Sequence, residues 1–274
     1  MKTAVITAVQ GRTAHLRNQM TGLSRSTVQV DRHVLVAIDD DEVATAVPPG
    51  DRRTDVIPFR SATPRLPVAA ARNLGAQNAI DGGADLLIFL DVDCIPTPDM
   101  MTAYRYAAEH PDHRAALLCG PVTYLPPPPL DGYDLAQLGT MIDPHPARPA
   151  PARGEITAST DYELFWSLSF ALLASTWQRI GGFCTDYTGY GGEDTDFAQK
   201  AATHDVSMRW VGGAHALHQY HPVSNPPVEH LRDIVTNAAL FHQRWGWWPM
   251  TGWLDAFEAQ GLIVRDRHGR PRAV

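Results

Sequence analysis

The chain has 274 residues, of which 44% are hydrophobic and 19% charged, so it can build a full core and is not an intrinsically disordered protein. Its formal net charge of −7 argues against a nucleic-acid-binding protein, although a local basic pocket for phosphate is compatible with that charge. Three cysteines without metal-ligand spacing, no apolar segment of bilayer length and no signal-peptide pattern lead us to expect reduced thiols in a cytoplasmic protein.

The amino-terminal third alternates apolar runs with helical segments, which is typical of an α/β fold. We predict three strands there, over Thr3–Val9, His33–Ile38 and Asp55–Phe59. Two helices are predicted beside them, over residues 14–23 and 68–80. We find no internal repeat and no linker that would divide the chain into two domains.

Polar residues mark the ends of these elements. The turn Gln10–Thr13 leads into the first helix, whose amides can meet an anion. The acidic run Asp39–Glu42 ends the second strand and can hydrogen-bond a base or ribose, or can form a solvated turn. Arg72, in the second helix, suits a diphosphate or a surface salt bridge.

The apolar run Leu86–Leu90 predicts a central strand that is buried on both faces. Asp91 and Asp93 follow it directly, and alternation along an extended chain would point both carboxylates the same way, with Val92 opposite. Two carboxylates at the end of a buried strand are costly unless they are compensated, and Mg²⁺ or Mn²⁺ is a usual partner. The alternative is that these residues only end the strand and cap the next helix.

The middle of the chain changes in character. Thr97-Pro98-Asp99 has the pattern of an N-cap followed by a helix, which we expect to run to His110. Residues 115–124 predict another strand. Residues 125–154 are rich in proline and predict no regular structure, so they form either a mobile active-site loop or an inert insertion.

The carboxyl half contains a glycine-rich, acidic segment over residues 187–197, at the start of a helix that we expect to reach residue 203. The helix dipole favours acids there, but this segment has more of them than capping requires. A strand over Val206–Val211 precedes three histidines, which either form a polar loop or supply a metal ligand. A long helix is predicted over Pro227–Arg244. The tryptophans that follow form either part of the core or a platform for an acceptor: Trp245, Trp247, Trp248 and Trp253.

Taken together, four motifs resemble inverting family-2 glycosyltransferases with the GT-A nucleotide-sugar fold. The carboxyl half resembles the β-1,4-galactosyltransferases, and the similarity covers residues 3–245. The motifs are Ala71–Gly75, Phe89–Asp93, Ile180–Phe183 and Gly189–Asp196. The resemblance implies an α/β fold with a mostly parallel central sheet flanked by helices. It also implies one domain over residues 1–274, with a nucleotide-sugar half (1–124), a Pro-rich loop (125–154) and an acceptor and catalytic half (155–274).

The same resemblance implies the residues of the donor site. Asp39 would contact the base, Arg72 would lie near the diphosphate and Asp91 would face the ribose or sugar. Tyr190 stands where the galactosyltransferases carry a tryptophan, so the sugar and acceptor stay open. The residues implied for the donor site are Thr7, Val9, Arg12, Asp39, Arg72, Asp91, Val92, Tyr190 and Gly192.

The resemblance further implies a metal site and a catalytic pair. Asp93 would bind Mn²⁺ or Mg²⁺. The galactosyltransferases use a Met-x-x-His pair, and the matching spacing here makes His218 the first choice of ligand and His215 the second. An alignment on the following His-Pro would instead favour His215. Asp194 would be the general base, and Glu193 would hold sugar or acceptor hydroxyls.

The implied reaction is transfer of a hexose or N-acetylhexosamine from a nucleotide diphosphate donor, expected to be UDP-linked, with inversion of the anomeric centre. A divalent ion would stabilise the diphosphate leaving group, and a carboxylate would take the proton of the acceptor hydroxyl. The acceptor could be a carbohydrate, a lipid-linked glycan or a small molecule. Two alternatives are a non-catalytic binding protein that kept the fold and a sugar-phosphate nucleotidyltransferase, which would need a more basic, glycine-rich first turn than Gln10–Thr13.

Overall fold

The computed structural model describes residues 1–274, which form thirteen strands and seven α-helices. The strands are β1 (Thr3–Val9), β2 (Arg32–Ile38), β3 (Thr54–Phe59), β4 (Leu86–Leu90), β5 (Cys94–Pro96), β6 (Leu117–Cys119), β7 (Val122–Tyr124), β8 (Ile156–Ser159), β9 (Ser169–Leu173), β10 (Met208–Val211), β11 (Ala216–His218), β12 (Ile263–Arg265) and β13 (Pro271–Ala273). The helices are α1 (Thr13–Ser24), α2 (Val68–Asp81), α3 (Met100–Glu109), α4 (Ala174–Ile180), α5 (Glu193–Thr203), α6 (Leu231–Trp245) and α7 (Thr251–Ala259). None of these helices combines the length and the apolar character needed to cross a membrane.

Eight strands form one central sheet in the order β3-β2-β1-β4-β9-β6-β10-β8. The first four run parallel, as does the pair of β6 and β10, while β9 is antiparallel to both of its neighbours. Helices pack on the faces of this sheet, so the expected α/β class is confirmed. Because β9 lies between β4 and β6, strands from the two halves of the sequence alternate within one sheet.

The main core lies around β4, whose five residues are all buried, as expected from their unbroken apolar run. Phe89 of β4 stacks on Phe170 of β9, with ring centroids 4.5 Å apart and an interplanar angle of 4°. Trp177, Phe183 and Phe197 complete this aromatic group on the face covered by α4 and α5. The rigid packing fixes the end of β4 against the start of α5.

The single strand predicted over residues 115–124 is wrong, because the chain divides into β6 in the central sheet and β7 in a second sheet of order β5-β11-β7. Gly120 and Pro121 lie at the division. A Cβ at Gly120 would overlap the carbonyl oxygen of Ala214, and Pro121 has no amide hydrogen to donate to a ladder. The helix start also differs: α3 begins at Met100, and the Thr97 hydroxyl donates to His215 O at 2.9 Å instead of capping it.

Residues 125–154 contain only a short 3₁₀ turn at Leu138–Met141, in agreement with the sequence. The segment is nevertheless anchored. The Arg148 guanidinium carbon lies 4.7 Å from the centre of the Trp166 ring and 5.3 Å from that of Trp210, and its Nη1 donates to Trp166 O at 3.4 Å. Tyr133 adds a second tie, since its hydroxyl accepts a hydrogen bond from Tyr220 N at 3.0 Å. The segment is therefore held at Tyr133 and Arg148, while most of its residues are exposed.

Candidate active site

The Asp-Val-Asp segment leaves β4 in a tight turn, closed by a hydrogen bond from Cys94 N to Asp91 O at 2.8 Å. Its three side chains consequently enter different surroundings instead of alternating as in a strand. Asp91 faces α2, where its Oδ1 accepts from Arg72 Nη2 at 2.6 Å. Val92 packs against the apolar cluster beneath α1, and Asp93 faces the start of that helix.

Asp93 is the centre of a group that can hold a divalent cation. Its Oδ1 accepts from Arg12 Nη1 at 3.1 Å and lies 2.5 Å from His15 Nδ1. Its Oδ2 lies 3.6 Å from His221 Nε2. Ligand atoms of Asp93, His218 and His221 all lie within 4.8 Å of one another. One carboxylate and two imidazoles form a donor set that suits Mn²⁺ and other first-row divalent ions.

The protonation of this group also fits a metal. Burial opposes the charge of Asp93, but hydrogen bonding from His15 and the charge of Arg12 keep the pKa of its carboxyl below the usual value. Burial lowers the pKa of His218 to about 4, although Asp93 opposes this shift. The carboxylate is then ionised and the imidazole neutral near pH 7, which are the forms that bind a metal.

Strand register explains which histidine reaches Asp93. β11 is antiparallel to β5, and His218 pairs with Cys94, the residue next to Asp93. His215 lies outside the cation-binding group, because it comes before β11 and its Nε2 is 2.8 Å from Thr123 Oγ1. The structure thus brings the first-choice ligand to Asp93, leaves the second choice elsewhere, and adds His221, which the spacing argument did not select.

Gln219 holds this group against α1 and was not recognised from the sequence. Its backbone amide donates to Asp93 O at 2.7 Å, and its Nε2 donates to His15 O at 3.0 Å. Its Oε1 accepts from Asn18 Nδ2 at 2.7 Å. A buried glutamine between two histidines of a sequence motif gives no signal by itself, since the partners of its side chain lie 204 and 201 residues away in sequence.

Arg72 joins the Asp-Val-Asp segment to the acidic helix. It is 5% exposed, and its Nη2 and Nη1 donate to Asp91 at 2.6 Å and to Glu193 at 3.3 Å. The neighbouring Asn73 holds the Ile180–Phe183 motif, since its Nδ2 donates to Phe183 O and its Oδ1 accepts from Phe183 N, both at 2.9 Å. The guanidinium that the resemblance places near a diphosphate thus contacts two carboxylates.

α5 begins at Glu193, so Glu193 and Asp194 lie in the first turn, as expected. Burial and the neighbouring Asp194 raise the pKa of Glu193 to about 7, with Arg72 partly opposing them. Burial also raises the pKa of Asp194, although its Oδ1 accepts from Thr195 N at 2.7 Å. Two adjacent carboxyls with raised pKa values, next to a strand-end aspartate, are suited to proton transfer.

Asp196 has a different environment from these two acids. It is fully buried, and its Oδ1 accepts from Arg244 Nε at 2.6 Å and from Trp245 Nε1 at 2.7 Å. This carboxylate ties α5 to the end of α6. Trp247 and Trp248 pack against Phe241 and His242 of α6. Trp253 packs against the cluster of Ile234 and Ala238, and its ring centre lies 5.8 Å from that of Tyr190.

The residues implied for the donor site in the amino half differ in their exposure to solvent. Thr7 and Val9 are both buried, because both faces of β1 are covered. Thr7 Oγ1 donates to Gln19 Oε1 at 3.0 Å. Asp39 is exposed at the end of β2, where its Oδ1 accepts from Ser61 N at 3.0 Å.

The glycine-rich turn before α5 projects one aromatic ring. Tyr190 lies between Gly189 and Gly191 and stacks on His230, with ring centroids 4.3 Å apart and an interplanar angle of 9°. Gly192 is the N-cap of α5, with φ of 91°, a left-handed conformation that glycine adopts without strain. The turn therefore joins an exposed tyrosine directly to the two acids.

Comparison with known proteins agrees with this arrangement. Residues 153–222 match the family described as the N-terminal domain of galactosyltransferase, a range that includes Glu193, Asp194, His218 and His221. The validoxylamine A glucosyltransferase of Streptomyces hygroscopicus subsp. jinggangensis (strain 5008) is 27% identical over 238 residues, which cover 75% of this chain and 52% of that protein. The enzyme of the same name from S. hygroscopicus subsp. limoneus is 30% identical over 162 residues, 52% of this chain and 34% of that protein. The chain thus spans about half or less of the length of these relatives.

Solved structures share the fold at low identity. S. aureus TarS 1–349 in complex with UDP-GlcNAc matches with a TM-score of 0.58 and 12% identity, covering 87% of this chain and 66% of that one. GalNAc-T7 with UDP, GalNAc and Mn²⁺ matches with a TM-score of 0.58 and 14% identity, covering 95% of this chain and 57% of that one. The chain thus shares the GT-A fold of these solved structures, and parts of its sequence are similar to the galactosyltransferase family and to the validoxylamine A glucosyltransferases.

Proposed function

We propose that the protein is a metal-dependent inverting glycosyltransferase that moves a hexose or N-acetylhexosamine from a UDP-linked donor to an acceptor hydroxyl. The observation that carries this proposal is the bridge formed by Arg72, whose one guanidinium contacts Asp91 and Glu193. The bridge brings the strand end that would face the donor and the helix start that would face the acceptor into one site. A UDP-sugar donor is also in keeping with the ligands named for the TarS and GalNAc-T7 structures.

Asp93, His218 and His221 would hold the metal, since their ligand atoms are grouped and none of the three is exposed. A bound divalent ion would supply charge stabilisation to a leaving diphosphate. Arg12 adds a positive charge on the same side, because its Nη1 already contacts Asp93 Oδ1. This residue could exchange the carboxylate for a phosphate oxygen when the donor binds.

Asp194 would act as the general base, and Glu193 would orient acceptor hydroxyls. The two carboxyls lie at the start of α5, and burial raises the pKa values of both. A base whose pKa lies closer to neutrality takes a proton from an attacking hydroxyl more effectively than an ordinary carboxylate does. Because one base suffices for direct displacement, the reaction needs no covalent sugar–enzyme intermediate and inverts the anomeric centre.

The metal part of the proposal predicts a specific loss of Mn²⁺ affinity. We expect His221→Asn to weaken Mn²⁺ binding more than about 10-fold, since loss of even an outer-shell partner costs that much. We expect His215→Asn to keep the wild-type affinity, because His215 Nε2 faces Thr123. Mg²⁺ should bind more weakly than Mn²⁺ in the wild type, because imidazole ligands favour transition metals.

The measurement is titration with Mn²⁺, followed by electron paramagnetic resonance, with and without UDP. Asp93→Asn serves as the positive control for a lost ligand. UDP should protect the wild type against thermal unfolding in a Mn²⁺-dependent way, by about 2.7 kcal/mol at 100 times its dissociation constant. Equal Mn²⁺ binding by the wild type and by both Asp93→Asn and His221→Asn would contradict the assigned site.

A further inference from the structure

One buried side chain of α6 gathers the backbone of the glycine-rich turn. Asn237 is 1% exposed, and its Nδ2 donates toward three carbonyl oxygens. They are Thr188 O at 3.1 Å, Tyr190 O at 3.2 Å and Gly191 O at 2.8 Å. An amide group has only two hydrogens, so the three carbonyls share them. Because Asn237 is itself buried, its removal would leave these carbonyls without the donor that holds them together.

The conformation of the turn explains why these carbonyls converge. Gly189 and Gly191 have φ angles of 77° and 86°, in the left-handed region that favours glycine. There is also no room for side chains: a Cβ at Gly189 would overlap the Asp233 carboxylate, and one at Gly191 would lie 2.8 Å from Met250 Sδ. The turn is therefore pressed onto α6 and Met250, and Asn237 is the residue of α6 whose side chain donates to its carbonyls.

The turn sets the start of the acidic helix. Gly192 O accepts the hydrogen bond of Asp196 N at 2.9 Å, the first hydrogen bond of α5. Its neighbour Gly191 carries the carbonyl that Asn237 holds most closely. The direction of α5 at Glu193 and Asp194 thus depends on how the preceding peptide groups are oriented.

We infer that Asn237 is a positioning residue for the acid pair, acting through the backbone of residues 188–192. This inference rests on the proposed function, because it assumes that Asp194 takes a proton. Asn237 lies in α6, outside residues 153–222 that match the galactosyltransferase family. The carboxyl-terminal helices would then form part of the catalytic unit, with α6 as the support of the turn.

The test uses the full chain with two replacements that both remove the donor. Asn237→Leu is apolar and Asn237→Asp is acidic, so a shared effect isolates the loss of the N–H groups. We expect kcat for sugar transfer to fall about 10²-fold in both, the scale expected for a small misplacement of a catalytic group. Affinity for UDP with Mn²⁺ should stay within about threefold, because the metal group is formed by Asp93, His218 and His221 and UDP carries no sugar to meet the turn. Thr236→Ala is the matched control, since its hydroxyl bonds only to Arg232 O within the same helix.

Amide hydrogen exchange of residues 189–195 gives a second measurement that does not need activity. Exchange should be faster in both Asn237 variants and unchanged in Thr236→Ala. If the wild type transfers no sugar, the proposed function fails. Unchanged hydrogen exchange in the Asn237 variants would separately overturn the positioning role of Asn237. A wild-type kcat in either folded variant, or a loss of UDP affinity equal to the loss of kcat, would also overturn the inference.

Discussion

Replacement of Asp194 by asparagine is expected to lower kcat by about 10³-fold, within the range that general-base catalysis contributes. Asparagine has nearly the same shape and can still accept the hydrogen bond from Thr195 N, so α5 should begin as before. What is lost is the ability to take a proton from the acceptor. Affinity for the donor should change by no more than about twofold, since that part of the site is not altered. Steady-state kinetics and a UDP titration measure the two effects separately.

The pH profile gives a sharper form of the same test. Since burial raises the pKa values of both carboxyls, wild-type kcat should increase with pH as the pair loses its protons, in a limb that lies above the usual range for a carboxyl. Asp194→Asn should remove this limb. Asp186→Asn, the same exchange at an exposed position, is the control and should leave both rate and profile unchanged. If Asp194→Asn kept most of the wild-type rate, another group would have to be the base.

The free energy of unfolding is expected to fall steeply as the pH decreases from about 6.5 to 4. His33 and His215 are 3% and 7% exposed, and burial lowers the pKa of each to about 4 from an ordinary value of 6.5. Because the folded-state pKa lies below the unfolded one, protons bind the unfolded chain preferentially over this range. The stabilisation is therefore complete above about pH 6.5 and is lost toward pH 4, by about 3 kcal/mol for each histidine.

A combined loss of about 6 kcal/mol is comparable with the total stability of many domains. Urea unfolding at several pH values measures it. The free energy of unfolding of His33→Gln should change less steeply with pH than that of the wild type, because one proton fewer is taken up on unfolding. The exposed His268→Gln is the matched control and should follow the wild-type curve. Identical slopes for the wild type and His33→Gln would show that the buried imidazole is not the source of the acid sensitivity.

The sequence predicts best what depends on neighbours in the chain. The apolar run Leu86–Leu90 is a buried strand, and the acids after Gly192 open a helix, because periodicity and the helix dipole act locally. The end of β4 shows the limit of this reasoning. Strand alternation would point the side chains of Asp91 and Asp93 to the same side. The hydrogen bond from Cys94 N to Asp91 O instead closes a turn over these residues, so the two side chains face different elements.

Features that depend on distant contacts could not be read in the same way. His218 rather than His215 meets Asp93 because β11 pairs with β5, and this register is not visible in a spacing of three residues. Arg72 finds Glu193 across 121 residues of sequence. Asn237 looks like any polar residue of a helix until the turn that it holds is seen in space. Each of these placements follows from how elements pack, not from local propensity.

The interleaving of the central sheet has a consequence for how the chain could be divided. β9 pairs with β4 and β6, and β6 in turn pairs with β10, so strands from before and after residues 125–154 are laid alternately side by side. A chain cut within that segment would yield two pieces, each with open strand edges that only the other piece can fill. Each piece alone should aggregate through these edges, and the two pieces should assemble into the complete sheet when they are mixed. The chain could therefore be divided into two fragments that complement each other.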